Sequence, residues 1–145
     1  MANQNYDQVA ELFVQGKLSW ESDSIVALLC TGETFDASNK TVADLAGNRY
    51  GAQPIQGRWF SEGLAMGLPV AFQKVAAGPA GYQIVVAQDV GNNNPNLLAF
   101  INVNGDGSPI TVQRTGTLII RPVLPDITVP PERPPTIGVW MKLPT

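Results

Sequence analysis

The clearest hydrophobic pattern in the chain is an unbroken apolar run at residues 25–30, IVALLC, which follows a polar stretch ending in Ser24. A short continuous run of Ile, Val and Leu is typical of a strand that is buried on both faces. Trp20, just before the run, is expected to lie in the core. Cys30, the only cysteine, has no partner for an intramolecular disulfide, and we expect it to behave as a small buried hydrophobe.

The N-terminal segment has the period of an amphipathic helix. Residues 5–15 form the predicted helix, with Asn5 as its cap and Gly16 as its stop signal. Its apolar positions at helical spacing are Tyr6, Val9, Ala10 and Phe13. This helix either docks on its own domain or forms an arm that binds a partner. A second helical turn is predicted at residues 41–44, where Thr41 and Asp44 fit a capping box.

From residue 50 onward the pattern becomes one of short apolar or alternating runs separated by Gly, Pro and Asn. The predicted strands are residues 52–58, 64–72, 82–89, 97–103, 110–114 and 117–121. Pro69 indicates an edge or a bulge within the second of these runs. Short strands at this spacing predict an all-β fold, a single β-sandwich or jelly roll of antiparallel strands.

Proline dominates the C-terminal part of the chain, where seven of the twelve prolines lie between Pro122 and Pro144. Such a segment favours an extended polyproline II conformation. Residues 137–143 then alternate like a strand. We therefore divide the chain into a helical arm (1–16), a β domain (17–121) and an extended C-terminal arm (122–145). The alternative for the tail is that it folds back onto its own sheet.

Composition narrows the classes of partner. Apolar residues make up 44% of the chain and charged residues only 14%, with a net charge of −3. A surface with little charge suits a protein that is held permanently against a partner, such as copies of itself in a dimer or trimer. The negative charge and the absence of a basic cluster argue against nucleic acid. No signal peptide or membrane-spanning run is visible, so we expect synthesis in the cytoplasm and no membrane partner.

The sequence offers little for catalysis. It contains no histidine, the commonest general base and metal ligand, so no Ser-His-Asp or Cys-His arrangement can form. Residues 102–107, NVNGDG, resemble the start of a calcium loop, but Gln113 stands where a bidentate Glu is expected, and a plain turn is the preferred interpretation. We therefore predict no catalytic residue, no cofactor and no metal, and the protein is expected not to be an enzyme.

Residues 16–38, GKLSWESDSIVALLCTGETFDAS, resemble the opening of a family of small virion structural proteins of tailed bacteriophages. The matching positions are Lys17, Leu18, Trp20, Asp23, Leu29 and Thr31, followed by Phe35 and Asp36. The later segments YQIVVAQD, LLAFINV, SPITV and GTLIIRP are similar to the paired strands of that family. These are packing motifs without catalytic content, and they cover less than half of the chain.

The resemblance implies a capsid decoration (cement) protein located on the capsid surface of the virion, with the phage major capsid protein as its partner. A head-tail connector, tail or fibre-base component is the first alternative. A carbohydrate-binding β-sandwich that uses exposed aromatic residues such as Trp59, Phe60 and Tyr82 is the second. The tail tip is expected to supply the main interface anchor, because it follows a proline spacer. The predicted interface residues are Phe13, Trp59, Ile137, Val139, Trp140 and Met141.

Overall fold

In the residues that the structure describes, the fold is mostly β, with antiparallel sheets and one short helix, α1 (Gln8–Val14). The computed structural model describes residues 4–77, 81–103, 108–112, 114–122 and 138–142. In chain order the strands are β1 (Gln4–Asn5), β2 (Ser24–Thr31), β3 (Asn48–Pro54), β4 (Trp59–Ser61), β5 (Leu64–Gly67), β6 (Val70–Val75), β7 (Gln83–Asp89), β8 (Asn96–Ile101), β9 (Gly116–Ile120) and β10 (Gly138–Lys142).

These strands form three antiparallel sheets around a shared core. The largest has the order β1-β8-β7-β2-β3, the second β10-β5-β4, and the third pairs β6 with β9. Side chains from all three sheets meet in one apolar cluster, including Ile25, Ala65, Trp140, Val70 and Ile120. Because β1 and β3 are the outermost strands of the largest sheet, they lie at its opposite edges.

Strand β2 is buried on both faces, as the apolar run predicts. Ile25, Ala27 and Leu29 belong to the central cluster, whereas Leu28 and Cys30 point into a second cluster on the other face of the sheet. That second face is covered by the segment after β2, whose partly buried apolar side chains Phe35, Val42 and Leu45 pack against it. The predictions for Trp20 and Cys30 are also confirmed, since Trp20 is 2% exposed and Cys30 is fully buried.

The helix is shorter than predicted and docks on its own domain. It begins after Asp7, because Asn5 is paired with Ala99 in β1. Gly16 ends it as expected: its φ is +71°, and the amides of Gly16 and Lys17 donate to the carbonyls of Phe13 and Leu12. This is the bonding pattern of a Schellman motif, which favours glycine at the left-handed position. The second helical turn is a single 3₁₀ turn at Val42–Asp44.

Several strand boundaries differ from those predicted. The first predicted strand lies earlier, at β3, and a short strand at β4 was missed. The predicted strand at 64–72 is divided into β5 and β6, because Pro69 has no amide hydrogen with which to continue a ladder. At 110–114, Ile110 forms only an isolated bridge with Tyr82, and Gln113 lies outside the described residues.

The end of the chain folds back onto the domain. Strand β10 pairs with β5, and the amide of Val139 donates to the carbonyl of Pro122 at 2.7 Å. Trp140 is only 2% exposed, so the structure has the back-folded tail given above as the alternative, in place of an exposed apolar tip. Ile137 and the remainder of the proline-rich segment, 123–137, lie outside the described residues.

Candidate functional site

The first and last strands of the described chain line one groove. Its volume is about 280 Å³. Strand β1 is the outer strand of the five-stranded sheet and β10 is the outer strand of the three-stranded sheet, so two sheet edges lie side by side. The Asn5 Nδ2 donates to the carbonyl of Lys142 at 2.8 Å and links them. We call this the terminal groove; its lining residues are Gln4, Asn5, Ala99, Phe100, Ile101, Trp140, Met141 and Lys142.

The terminal groove has apolar walls and one unsatisfied polar atom. Phe100, Trp140 and Met141 are almost fully buried, whereas Lys142 is exposed at the rim. Within the described residues, Gln4 Oε1 is buried without a hydrogen-bond partner; Trp140 Nε1 is also unpartnered, but it lies beside Gly67 and Ile55 in the core. An unpaired buried polar group costs about 1–3 kcal/mol, so the fold has not completed its own hydrogen bonding along this edge.

The predicted interface residues fall into two groups. Trp140 and Met141 line the terminal groove, but both side chains lie mainly in the central core. Val139 points to the opposite face of its sheet, where it packs with Met66 and Trp59. The three β10 residues therefore pack within their own domain. The sequence could not distinguish this from binding to a partner, because an apolar strand suits both.

Phe13 and Trp59 are both half-buried. Phe13 packs on the central cluster and its ring lies 5.5 Å from that of Phe60, at an angle of 54°. Trp59 lies in β4 opposite Met66. Phe13 therefore helps to pack α1 against the domain, and Trp59 does the same for β4. Only part of each side chain is exposed and could contact a partner.

A second groove, which the sequence pattern does not predict, lies at the opposite edge of the five-stranded sheet. It is about 290 Å³ in volume and separates β3 from β6. Tyr50, Phe72 and Tyr82 contribute aromatic side chains to it, and Lys74 a cation. We call it the aromatic groove. Strand β3 has no apolar alternation, since nearly all of its residues are exposed, so the pattern gave no signal for this edge.

Three carboxylates in the loops between β2 and β3 accept hydrogen bonds from backbone amides. Glu33 accepts from the amides of Ala46 and Gly47, at 3.2 and 2.9 Å. Hydrogen bonds from the hydroxyl and amide of Ser38 lower the pKa of Asp36. The amides of Lys40 and Thr41 do the same for the pKa of Asp44. Each carboxylate therefore has a structural role in the loop that covers the five-stranded sheet.

Two other buried groups in this region, the Cys30 thiol and the Tyr6 hydroxyl, have raised pKa values. Burial, with a further contribution from Glu33, raises the pKa of the Cys30 thiol to about 12, so it is not a nucleophile at neutral pH. Burial also raises the pKa of Tyr6. Over the described ranges, no group of three His, Cys, Asp or Glu side chains is placed to hold a metal ion.

Within the part of the chain that the structure describes, no helix has the length and apolar character needed to cross a membrane. Comparison with protein families, curated proteins and solved structures finds no match to this chain.

Proposed function

We propose that this chain is a non-enzymatic structural protein of a tailed-phage virion, a capsid decoration protein with a β-sandwich fold that binds the outer capsid surface and stabilises the head. Three features support the proposal. They are the resemblance of residues 16–38 to small virion proteins, the low content of charged residues, and loop carboxylates that bind backbone amides.

The observation that carries the proposal is the meeting of both terminal strands in one groove. An outer strand presents main-chain donors and acceptors to which an extended segment of another protein can add. In the terminal groove, β1 provides such an edge, because β8 is its one partner among the described strands, and Phe100 and Met141 form the apolar wall beside it. An extended segment of the major capsid protein is the occupant that this arrangement fits.

Decoration then works by repetition. A single added strand of about five residues gives a modest affinity, because its hydrogen bonds replace those to water. Each protein that also contacts a second capsid subunit, or another copy of itself, gains from the effective concentration of linked sites. The head is stabilised because separating capsomers must then break several such contacts at once.

The test uses purified heads that lack this protein. Lys142 stands at the rim of the terminal groove, and its charge reversal, Lys142→Glu, changes the groove without removing a core residue. We expect this variant to bind at least about tenfold more weakly than the parent chain, measured by co-sedimentation over a range of concentrations.

Lys17→Glu is the matched control, because Lys17 is also exposed and lies outside the groove. It should bind like the parent. Equal binding of both variants, or no binding of the parent chain to undecorated heads, would contradict the proposal.

A further inference from the structure

We propose that the aromatic groove between β3 and β6 binds an acidic saccharide, a sugar ring carrying a carboxylate. This inference does not rest on the proposed role at the capsid. The groove measures about 290 Å³, which is at the lower end of the volumes of small-molecule sites and suits one or two sugar rings.

The aromatic wall of this groove is held in position before any ligand arrives. Tyr50 is 59% exposed, and its hydroxyl accepts a hydrogen bond from Thr31 Oγ1 at 3.2 Å. Its ring lies 6.2 Å from that of the buried Tyr82, nearly perpendicular to it. The Tyr82 hydroxyl is itself fixed by donating to the carbonyl of Ala76. A rigid, exposed ring is a surface on which the apolar face of a sugar can stack.

Carboxamides next to this ring can serve the sugar hydroxyls. Gln73 Oε1 accepts from Thr117 Oγ1 at 2.8 Å, which orients the amide and leaves its Nε2 hydrogens to donate. The side chain of Gln53 makes no hydrogen bond with a described residue, and it also lines the groove. Each carboxamide can donate to one hydroxyl and accept from another, as vicinal diols require.

Lys74 gives the groove its charge preference. Among the described residues that line the groove it is the one that carries a charge, and it forms no ion pair in the described part of the chain. Its φ is +55°, an unfavourable value for a residue with a side chain, and it lies where the register between β6 and β9 shifts. Bulges and strained residues of this kind gather at functional sites, where they redirect a side chain.

A cation beside an aromatic ring and two carboxamides is complementary to a ligand that combines hydroxyls with a carboxylate.

The position of the aromatic groove also leaves it accessible when the terminal groove, at the opposite edge of the sheet, is occupied. It lies at β3, four strands from β1, which is about 19 Å at the usual strand spacing. A chain docked through the terminal groove would therefore still present the aromatic groove to a second ligand.

The experiment is an NMR titration of the full chain with tetragalacturonate, beside the neutral cellotetraose and the acidic peptide tetraglutamate. We expect shifts at Tyr50, Gln53 and Lys74, with tetragalacturonate bound at least about tenfold more tightly than either of the other probes.

Two variants separate the contributions. Tyr50→Ala should weaken binding of tetragalacturonate at least about tenfold, because it removes the stacking surface. Lys74→Gly should remove the preference for the acidic sugar while the domain stays folded, because glycine accepts a φ of +55° without strain. Val14→Ala and Lys17→Ala are the controls, because both residues are exposed outside the groove, and they should bind like the parent.

The proposal is overturned if tetragalacturonate causes no shifts at about 10 mM, or if Tyr50→Ala binds like the parent. Tighter binding of tetraglutamate would also overturn it, because it would identify this edge as a peptide site. A loss of folding in Lys74→Gly, seen in its amide spectrum, leaves the decision to Tyr50→Ala and the three probes.

Discussion

Arg58 illustrates how single polar side chains hold this fold together. Its Nε donates to the carbonyl of Trp20 at 2.6 Å, and its terminal nitrogens donate to the carbonyls of Ile55, Glu21 and Asp23. Burial lowers the pKa of the guanidinium, although the neighbouring Asp23 opposes this. The hydrogen bonds of Arg58 therefore connect the turn that carries Trp20 to the segment that follows β3.

Removing the hydrogen bonds of Arg58 should destabilise the protein. Arg58→Met keeps the apolar stem but leaves the carbonyls without their donors, so we expect a loss of about 2–3 kcal/mol in the free energy of unfolding, measured with urea. Arg114→Met, at an exposed position, is the control and should change stability by less than about 0.5 kcal/mol. Equal changes in the free energy of unfolding for the two substitutions would show that the hydrogen bonds of Arg58 do not stabilise the fold.

The Asp44 carboxylate gives the loop before β3 a dependence on pH. Its pKa is lowered from 3.8 by the amides of Lys40 and Thr41, so the ionised form stabilises the folded turn. That stabilisation is present above the pKa of the unfolded chain and is lost as the pH falls through the lower, folded value.

Acid should therefore open this turn before it unfolds the domain. Lowering the pH from about 5 to 2 should reduce the protection of the Thr41 amide, which is its exchange rate relative to the intrinsic rate at the same pH, without a parallel change in the core amides of β7. In Asp44→Asn this pH-dependent loss of protection should disappear. An identical pH profile in both proteins would contradict this account of the turn.

Among the elements, those with a strong local pattern were the predictable ones. Strand β2 followed from its unbroken apolar run, and the end of α1 followed from Gly16. The break between β5 and β6 was visible in Pro69, though only as an edge or bulge. Strand β3 was predicted with shifted bounds, at 52–58, because its exposed side chains give no clear alternation while its pairing with β2 satisfies its backbone.

Strand β10 shows the limit of reasoning from the sequence. Its alternating apolar residues correctly predicted a strand, but a strand pattern does not say which sheet it joins. Pairing with β5 depends on contacts between residues more than 70 positions apart, such as Val139 opposite Met66. Both predicted interface residues that line the terminal groove, Trp140 and Met141, reached it through this pairing.

We therefore expect substitutions of Trp140 to lower the free energy of unfolding. Trp140→Ala should cost about 3–5 kcal/mol, because it leaves a cavity in the central core. Trp140→Phe retains most of the ring and removes the unsatisfied Nε1 hydrogen, so its cost should be less than about 1.5 kcal/mol. Urea unfolding of the two variants measures both values. A Trp140→Ala protein as stable as the parent would mean that β10 does not pack on its own domain.

The two grooves of the molecule lie at opposite edges of the five-stranded sheet. The terminal groove combines the two ends of the described chain, and the aromatic groove combines an outer strand with a bulge. The sequence predicted partner contacts near both ends of the chain, but not that the first and last described strands meet, since that follows from β1 pairing with β8 and β10 with β5. Two separated edges suit a protein that binds a surface on one side and presents a ligand site on the other.

The copy number of this protein in purified phage particles, determined by quantitative mass spectrometry against the major capsid protein, decides whether it decorates the capsid. A decoration protein is predicted to be present in numbers that scale with the number of capsomers, and to return to that number when added to heads lacking it. Absence from the particle, or a count of about six or twelve as ring symmetry at the neck would give, would contradict the account.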